Sequence, residues 1–235
     1  MKKTFEKLEE KIGVEFKNKD LLENVFVHRS YLNEHKSFHL PSNEKLEFLG
    51  DSVLSLITSM YLYNNYPQFE EGSYTDIKSA IVRTESLAYA ASPLGLGEYL
   101  YLSRGEEQGA GRDNKNILAD CFEALIGAIF IDQGFDASYE FVKTYLFADR
   151  LDEIISSRQY APAKSLLQET MQSVHKTTPE YRVIAEEGPQ HKRAFTIAVY
   201  LGQKLLAEGR GNSKKEAEEQ AARLALEKMN KSGRI

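Results

Sequence analysis

Asn43-Glu44-Lys45-Leu46-Glu47-Phe48-Leu49-Gly50-Asp51-Ser52 opens a long apolar-periodic run that extends to about Leu62, and Pro41-Ser42 ahead of it reads as a helix start. On a helix turning about 100° per residue, Glu44, Glu47 and Asp51 fall at i, i+3 and i+7, within one stripe about 60° wide. Leu46, Leu49, Val53, Leu56, Ile57 and Met60 gather on the opposite side and are assigned to the core. An acidic stripe on an amphipathic helix ordinarily faces water. Here, however, the same face continues as Ser52, Ser55, Thr58 and Ser59, with no Lys or Arg to form i,i+4 pairs. Small residues let another segment come close. Phe48 projects near the acids and away from the aliphatic side, a position that suits a protein contact better than a core. This face is expected to meet something.

Ile117 to Ile131 (ILADCFEALIGAIFI) has the length and composition of a helix and is apolar nearly all the way round, which marks it as buried. Asp120 and Glu123 form an i,i+3 pair inside it, with Gly127 one turn on and no Lys or Arg to compensate. Burying an ionised carboxylate without a partner costs several kcal/mol or forces protonation. Two carboxylates here and three on the first helix therefore call for a shared cation. All-oxygen ligands favour a hard ion, Mg²⁺ or Mn²⁺, over Zn²⁺.

The whole chain narrows the classes. Its 235 residues hold one large or two modest domains, and 42% hydrophobic with 28% charged residues is ordinary for a globular protein. No stretch reaches the length of uncharged apolar residues that spans a membrane, and the charged N-terminus lacks the apolar core of a signal peptide. The single cysteine, Cys121, cannot form an internal disulfide and reads as core, in keeping with a reducing cytoplasm. Residues 160–235 carry a balance of +4 and residues 1–159 one of −9, an acidic piece joined to a basic one.

In chain order, Thr4 to Ile12 and Leu21 to Phe26 read as short helices, with Asn18-Lys19-Asp20 capping the second. His28 follows and reads as a structural residue. Two further helices run from Ser73 to Val82 and from Glu85 to Ser92. Ser103 to Asn116 reads as a mobile Gly-rich loop whose Arg104, Arg112 and Lys115 are placed to touch a phosphate backbone, with Asn116 capping the buried helix. A last helix runs from Asp136 to about Asp149. The first domain, residues 1–151, is thus all-helical, and residues 152–163 lose periodicity and form a linker.

Residues 164–230 change character. Lys164 to Val174 is amphipathic, while Glu180 to Glu187, Ala194 to Leu201 and Lys204 to Gly209 read as strands, the first alternating around Tyr181, Val183 and Ala185. Ser213-Lys214-Lys215-Glu216 is a capping box opening an alanine-rich helix to about Met229. The order α-β-β-β-α makes this a small domain with an antiparallel three-stranded sheet. Lys214 and Lys215 sit in a first helical turn, where free N–H groups and the helix dipole already favour an anion such as phosphate. Pro189-Gln190-His191, between the first two strands, can reach a shallow groove.

NEKLEFLGDS and ILADCFEALIGAIFID resemble the signature and second acidic motif of the bacterial ribonuclease III family, and KSLLQE, GPQHKRAF and GNSKKEAEEQAA resemble its double-stranded-RNA-binding domain. The resemblance runs from near the N-terminus to about residue 230. It implies a mainly α protein with a helical catalytic domain. It also implies a homodimer that cuts both strands of duplex RNA with Mg²⁺, for which Mn²⁺ substitutes, leaving 5′-phosphate and 3′-hydroxyl ends. Ribosomal and other structured RNA precursors are the implied substrates, with no organic cofactor and no membrane. Residue by residue, Glu47, Asp51, Asp120 and Glu123 match the family's catalytic metal cluster. Glu47, Asp120 and Glu123 are then ligands, with Glu123 and Asp51 catalytic, and Asp51, a turn from Glu47, is a candidate to position the attacking water or a metal-bound water. Glu44 and Glu71 match further cleft acids, Phe48 matches an aromatic that plugs into the other subunit, and Gln168, Glu169, His191, Lys214 and Lys215 match RNA-contacting positions. Pro162-Ala163 departs from the family, which often has an Asp capping the first helix of the RNA-binding domain.

Two other classes compete. A duplex-RNA-binding protein that does not cut would not need every acid of the cluster. A di-iron carboxylate oxidoreductase needs Glu-x-x-His on core helices, and neither Glu47 nor Glu123 has a His three residues on.

Overall fold

The computed structural model describes residues 4–158, 160–189 and 193–231 and divides into two compact units, residues 1–160 and 161–235. The first is helical: α1 (Glu6–Ile12), α2 (Lys19–Val25), α3 (Arg29–Glu34), α4 (Glu44–Asn65), α5 (Glu71–Ile81), α6 (Thr84–Leu94), α7 (Leu96–Tyr99), α8 (Arg104–Gln108), α9 (Lys115–Gln133), α10 (Phe135–Val142) and α11 (Ala148–Ser156). α9 runs through its middle, with Cys121, Phe122, Ala124, Leu125, Ile126, Ala128 and Ile129 all wholly buried, and packs against α2, α4, α6 and α10. The near-continuous apolar composition of α9 leads to this: an element covered on several sides has few positions left for charge.

α4 and α9 cross through glycines. A Cβ on Gly50 would lie 1.8 Å from the Glu123 carbonyl oxygen, and one on Gly127 would lie 2.3 Å from that of Leu46. This close crossing corrects the expected core face of α4. Leu46, Val53 and Ile57 are buried as expected, but Leu56 and Met60 are 53% and 40% exposed. The buried arc is turned toward Gly50, Leu54 and Thr58, and the Thr58 hydroxyl donates to the Leu54 carbonyl at 2.7 Å. Side-chain hydropathy underweights a contact made through a glycine.

Local chemistry also moves several boundaries. Asn114, not Asn116, caps α9, its Oδ1 accepting the backbone N–H of Asn116 at 2.9 Å. Residues 103–116 are not an open loop: they fold into α8 and a 3₁₀ turn, Gly111–Asp113. Arg112 ties that segment down by donating to the carbonyls of Gly97 at 2.8 Å and Leu100 at 3.0 Å and to the Glu107 carboxylate, so it is not available to a phosphate. α10 passes through a π-helical stretch, Lys143–Phe147, into α11, where Leu151 and Ile154 are buried, so helical periodicity continues to Ser156.

The second unit comprises α12 (Ala163–His175), β1 (Glu180–Glu187), β2 (Ala194–Leu201), β3 (Lys204–Gly211) and α13 (Lys214–Lys231). The sheet is antiparallel in the order β1-β2-β3, with Val199 paired to Tyr181 and to Ala207. A register shift between Val183 and Ala185 breaks the expected alternation of β1 and leaves Val183 and Ile184 exposed. Leu167 and Met171 of α12 pack with Val199, Ala207, Ala221, Ala222 and Ala225. α13 lies so close to β3 that a Cβ on Gly209 would meet the Ala221 amide nitrogen at 2.2 Å. Pro162 offers α12 no side-chain cap. The Glu219 carboxylate of α13 takes that role instead, accepting the backbone N–H of Ala163 and, at 3.3 Å, that of Lys164.

Candidate functional site

α4 is anchored at its start by Asn43, which is buried and donates through Nδ2 to the Val25 carbonyl at 3.0 Å. Glu44 and Glu47 occupy its first turn. Because Gly50 and Gly127 let the helices meet backbone to backbone, Glu47 comes to face the Asp120–Glu123 pair. Carboxylate oxygens of Glu47, Asp120 and Glu123 all lie within 4.8 Å of one another. Glu47 and Asp120 of this group also line a pocket of about 300 Å³, together with His28, Arg29, Asn43 and Glu44.

The electrostatics are those of crowded, partly dehydrated acids. Burial, then the charges of Asp51, Glu47 and Asp120, push the Glu123 carboxyl up to about 8. Burial followed by Asp120 and Glu44 raises Glu47. Burial raises Asp120 against the opposing pull of His28 and Arg29. The donor set contains only carboxylates, so the residues present fit a hard divalent cation, which would relieve the repulsion that now favours protonation. Cys121, fully buried with its thiol pushed up, is no competing ligand.

The other expected residues sort themselves around this cluster. Asp51 is exposed on α4, outside the three converging carboxylates but near enough to raise Glu123. Glu44 is exposed at the rim, accepting from Ser42 Oγ at 2.7 Å with Arg29 3.7 Å away. Glu71 opens α5, is exposed, accepts from the Thr75 hydroxyl at 3.3 Å and is not among the converging acids. Phe48 is 77% exposed. The sequence around His28 predicts a structural part only. It does cap α3, accepting the Ser30 N–H, but it also lines the pocket. Nothing in its spacing relates it to Glu47 or Asp120. What brings it there is backbone pairing, with Asn43 N–H donating to the Val27 carbonyl at 2.9 Å and His28 N–H to that of Tyr101 at 3.2 Å.

In the second unit, Gln168 and Glu169 are exposed on α12, and Lys214 and Lys215 are exposed at the start of α13. The Lys214 ammonium stands 3.7 Å from Glu186 and 5.7 Å from the Phe195 ring centre. Ser213 Oγ accepts the Glu216 N–H at 3.1 Å, and Glu216 accepts the Asn212 N–H at 2.8 Å, so the helix start is firmly capped. His191 lies outside the described residues. No helix among the described residues is long and apolar enough to cross a membrane.

Comparison with known proteins agrees with both units. A family model described as Ribonuclease-III-like matches residues 18–150, and one described as Double-stranded RNA binding motif matches residues 163–229. A "Ribonuclease 3" of Oceanobacillus iheyensis is 43% identical over 225 residues, covering 96% of this chain and 98% of that protein. Another from Bacillus licheniformis is 44% identical over 227 residues, covering 97% and 90%. The nuclease domain of a Campylobacter jejuni ribonuclease III, solved in a study of its dimer-forming region, superposes with a TM-score of 0.57 at 35% identity, covering 61% of this chain and 96% of that one.

Proposed function

The chain belongs to the ribonuclease III family of double-stranded-RNA endoribonucleases, and on that premise we propose how its acidic pocket cuts. Glu47, Asp120 and Glu123 hold Mg²⁺, for which Mn²⁺ substitutes. The observation that carries this is the convergence of three half-buried carboxylates within 4.8 Å, with Glu123 driven up to about 8. When bound, such an ion lowers the pKa of water and stabilises charge on the scissile phosphate. Asp51, exposed beside Glu123, orients the attacking water. That water adds its oxygen to phosphorus, the bond to the 3′ oxygen breaks, and the products carry a 5′-phosphate and a 3′-hydroxyl. Glu44 shapes the rim, and Glu71 serves the cleft only from outside the converging group.

Two copies of the chain act together. Phe48, Leu56, Met60 and Tyr63 form an exposed apolar face along α4, interleaved with exposed Ser52 and Ser59, which suits burial against a second copy with Phe48 as the plug. Each copy supplies a pocket for one strand. Gln168, Glu169, His191, Lys214 and Lys215 contact the duplex, reading A-form shape, 2′-hydroxyls and phosphates more than bases. Catalysis belongs to residues 1–151 and RNA binding to 164–230, joined through 152–163. Ribosomal and other structured precursors in the cytoplasm are the substrates.

The test is a long perfect RNA duplex incubated with the chain in Mg²⁺ and in EDTA. Short duplex products with 5′-phosphates in Mg²⁺ alone are expected. Binding without scission in Mg²⁺ would reduce the chain to a duplex-binding protein.

A further inference from the structure

His28 stands where α3 begins, beside the acidic pocket, and its hydrogen bonds specify which ring nitrogen carries the proton. Nδ1 accepts the Ser30 backbone N–H at 3.3 Å and lies 2.7 Å from Ser30 Oγ. Ser30 Oγ itself accepts the Ser103 backbone N–H at 3.1 Å, which leaves its own proton free to turn toward Nδ1. Two donors therefore converge on Nδ1, so Nδ1 is an acceptor and the proton of the neutral ring sits on Nε2. The ring is partly buried and lines the pocket with Glu47, Asp120 and Arg29. Among the described residues, the hydrogen bonds of the His28 side chain are those made at Nδ1, which leaves Nε2–H for a ligand.

We infer that His28 is a substrate-contacting residue of this pocket, its Nε2–H donating to a non-bridging oxygen of the RNA phosphate held there. The inference rests on the metal-dependent cleavage proposed above. A phosphate entering a pocket walled by Glu44, Glu47 and Asp120 meets acceptors that repel it, while the donors of the lining belong to His28, Arg29 and Asn43, the last already donating to the Val25 carbonyl. His28 and Arg29 divide the task. The Arg29 guanidinium, exposed and 3.7 Å from Glu44, supplies charge at the rim. His28, partly buried where Arg29 is exposed, supplies a directed donor through Nε2. The chain Ser103 N–H to Ser30 Oγ to His28 Nδ1 keeps that donor aimed before substrate arrives, so little reorganisation is needed when it binds.

Two substitutions separate this role from the capping of α3. In His28→Asn the side-chain oxygen takes over the cap on Ser30 N–H, but nothing reaches the pocket. His28→Gln loses the cap and places an amide N–H near the position of Nε2. With wild-type chain, Mg²⁺ and an RNA duplex, we expect His28→Asn to melt with the wild type yet show a kcat/KM about 10- to 100-fold lower, the worth of a hydrogen bond to a charged group. His28→Gln should melt lower and cut closer to wild type. Sulfur in place of the contacted phosphate oxygen should slow the wild type more than His28→Asn, and nitrogen NMR of labelled histidine should show the Nε2–H form. Undiminished cleavage by His28→Asn, activity that merely follows melting temperature in both variants, or an Nδ1–H ring would each overturn the proposal. Wild type that fails to cut in Mg²⁺ would overturn the underlying reading instead.

Discussion

Gly50 of α4 and Gly127 of α9 meet with no side chain between them, each standing where a Cβ would fall 3.1 Å from the other's amide nitrogen. The site is a consequence of this crossing. Carboxylates one turn away on α4 and one and two turns away on α9 can approach within 4.8 Å only because the two backbones touch here.

Gly50→Ala should therefore cost more than a usual core substitution, since the new methyl would lie 1.8 Å from the Glu123 carbonyl, a backbone atom that cannot rotate aside. Overpacking typically costs about 1 to 3 kcal/mol, and this geometry lies at or above the upper end. Thermal melting should drop by several degrees, and duplex cleavage should fall further than the stability loss explains, because the helices must part. A variant that melts and cuts like the wild type would show the crossing to be looser than described.

The raised Glu123 carboxyl makes the metal-free protein sensitive to pH. Its folded pKa of about 8 exceeds the ordinary glutamate value of 4.5, so the contribution of this group to stability is fully present below about 4.5 and is lost as pH rises through about 8. In EDTA the melting temperature should decline across that window. Glu123→Gln should flatten the decline and, at pH 8, melt higher than the wild type while losing nearly all cleavage and keeping duplex binding. Saturating Mg²⁺ should stabilise the wild type more than the variant, by about 2.7 kcal/mol at a hundred times Kd. Equal loss of cleavage and binding in Glu123→Gln would remove it from the metal centre.

Much of this was legible in the sequence, and the exceptions share a cause. The acidic stripe of α4 and the buried pair of α9 were visible because charge in an apolar periodic setting is costly wherever the chain folds. Periodicity assigns Leu56 and Met60 to the core because it weighs large side chains, while the contact runs through Gly50 and Thr58. Arg112 looked like a phosphate ligand because its partners, the carbonyls of Gly97 and Leu100, are backbone groups with no sequence signature. His28 was invisible as a pocket residue for the same reason, being carried there by backbone pairing with Tyr101.

Glu219 offers a third test. Pro162 cannot cap α12, and the carboxylate that accepts from Ala163 and Lys164 comes from α13, some fifty residues on. Glu219→Ala removes a cap and a tie between the two helices at once. A lost cap costs about 0.5 to 2 kcal/mol, so the second unit should melt earlier and bind duplex more weakly, with metal binding by the first unit unchanged. Unaltered melting would mean that water replaces the carboxylate at no cost.

Phe48 tests the assembly. At 77% exposure on a face shared with Leu56 and Tyr63, it has no reason to be apolar in an isolated chain. Phe48→Glu should shift the mass in solution from dimer to monomer, measured by light scattering, with each unit still folded. Cleavage of both strands should then give way to weak or single-strand nicking. A dimer that survives the substitution would place the interface elsewhere.

Lys214 and Lys215 probe the RNA surface, and salt separates their roles. Each phosphate contact contributes roughly 0.7 to 0.9 log units of affinity per log unit of salt. Lys214 is held by Glu186 at 3.7 Å and by the Phe195 ring, so part of its charge is committed before RNA arrives. Lys215, exposed on the same first turn, has no such acidic neighbour in the described contacts. Lys215→Ala should therefore weaken duplex binding at low salt and reduce the slope by nearly one contact, and Lys214→Ala should reduce it by less. Glu186→Gln should free Lys214 and steepen the slope of the wild type. An unchanged slope in the double lysine variant would take both side chains off the phosphate surface, since a neutral role in folding alters affinity without altering its dependence on salt.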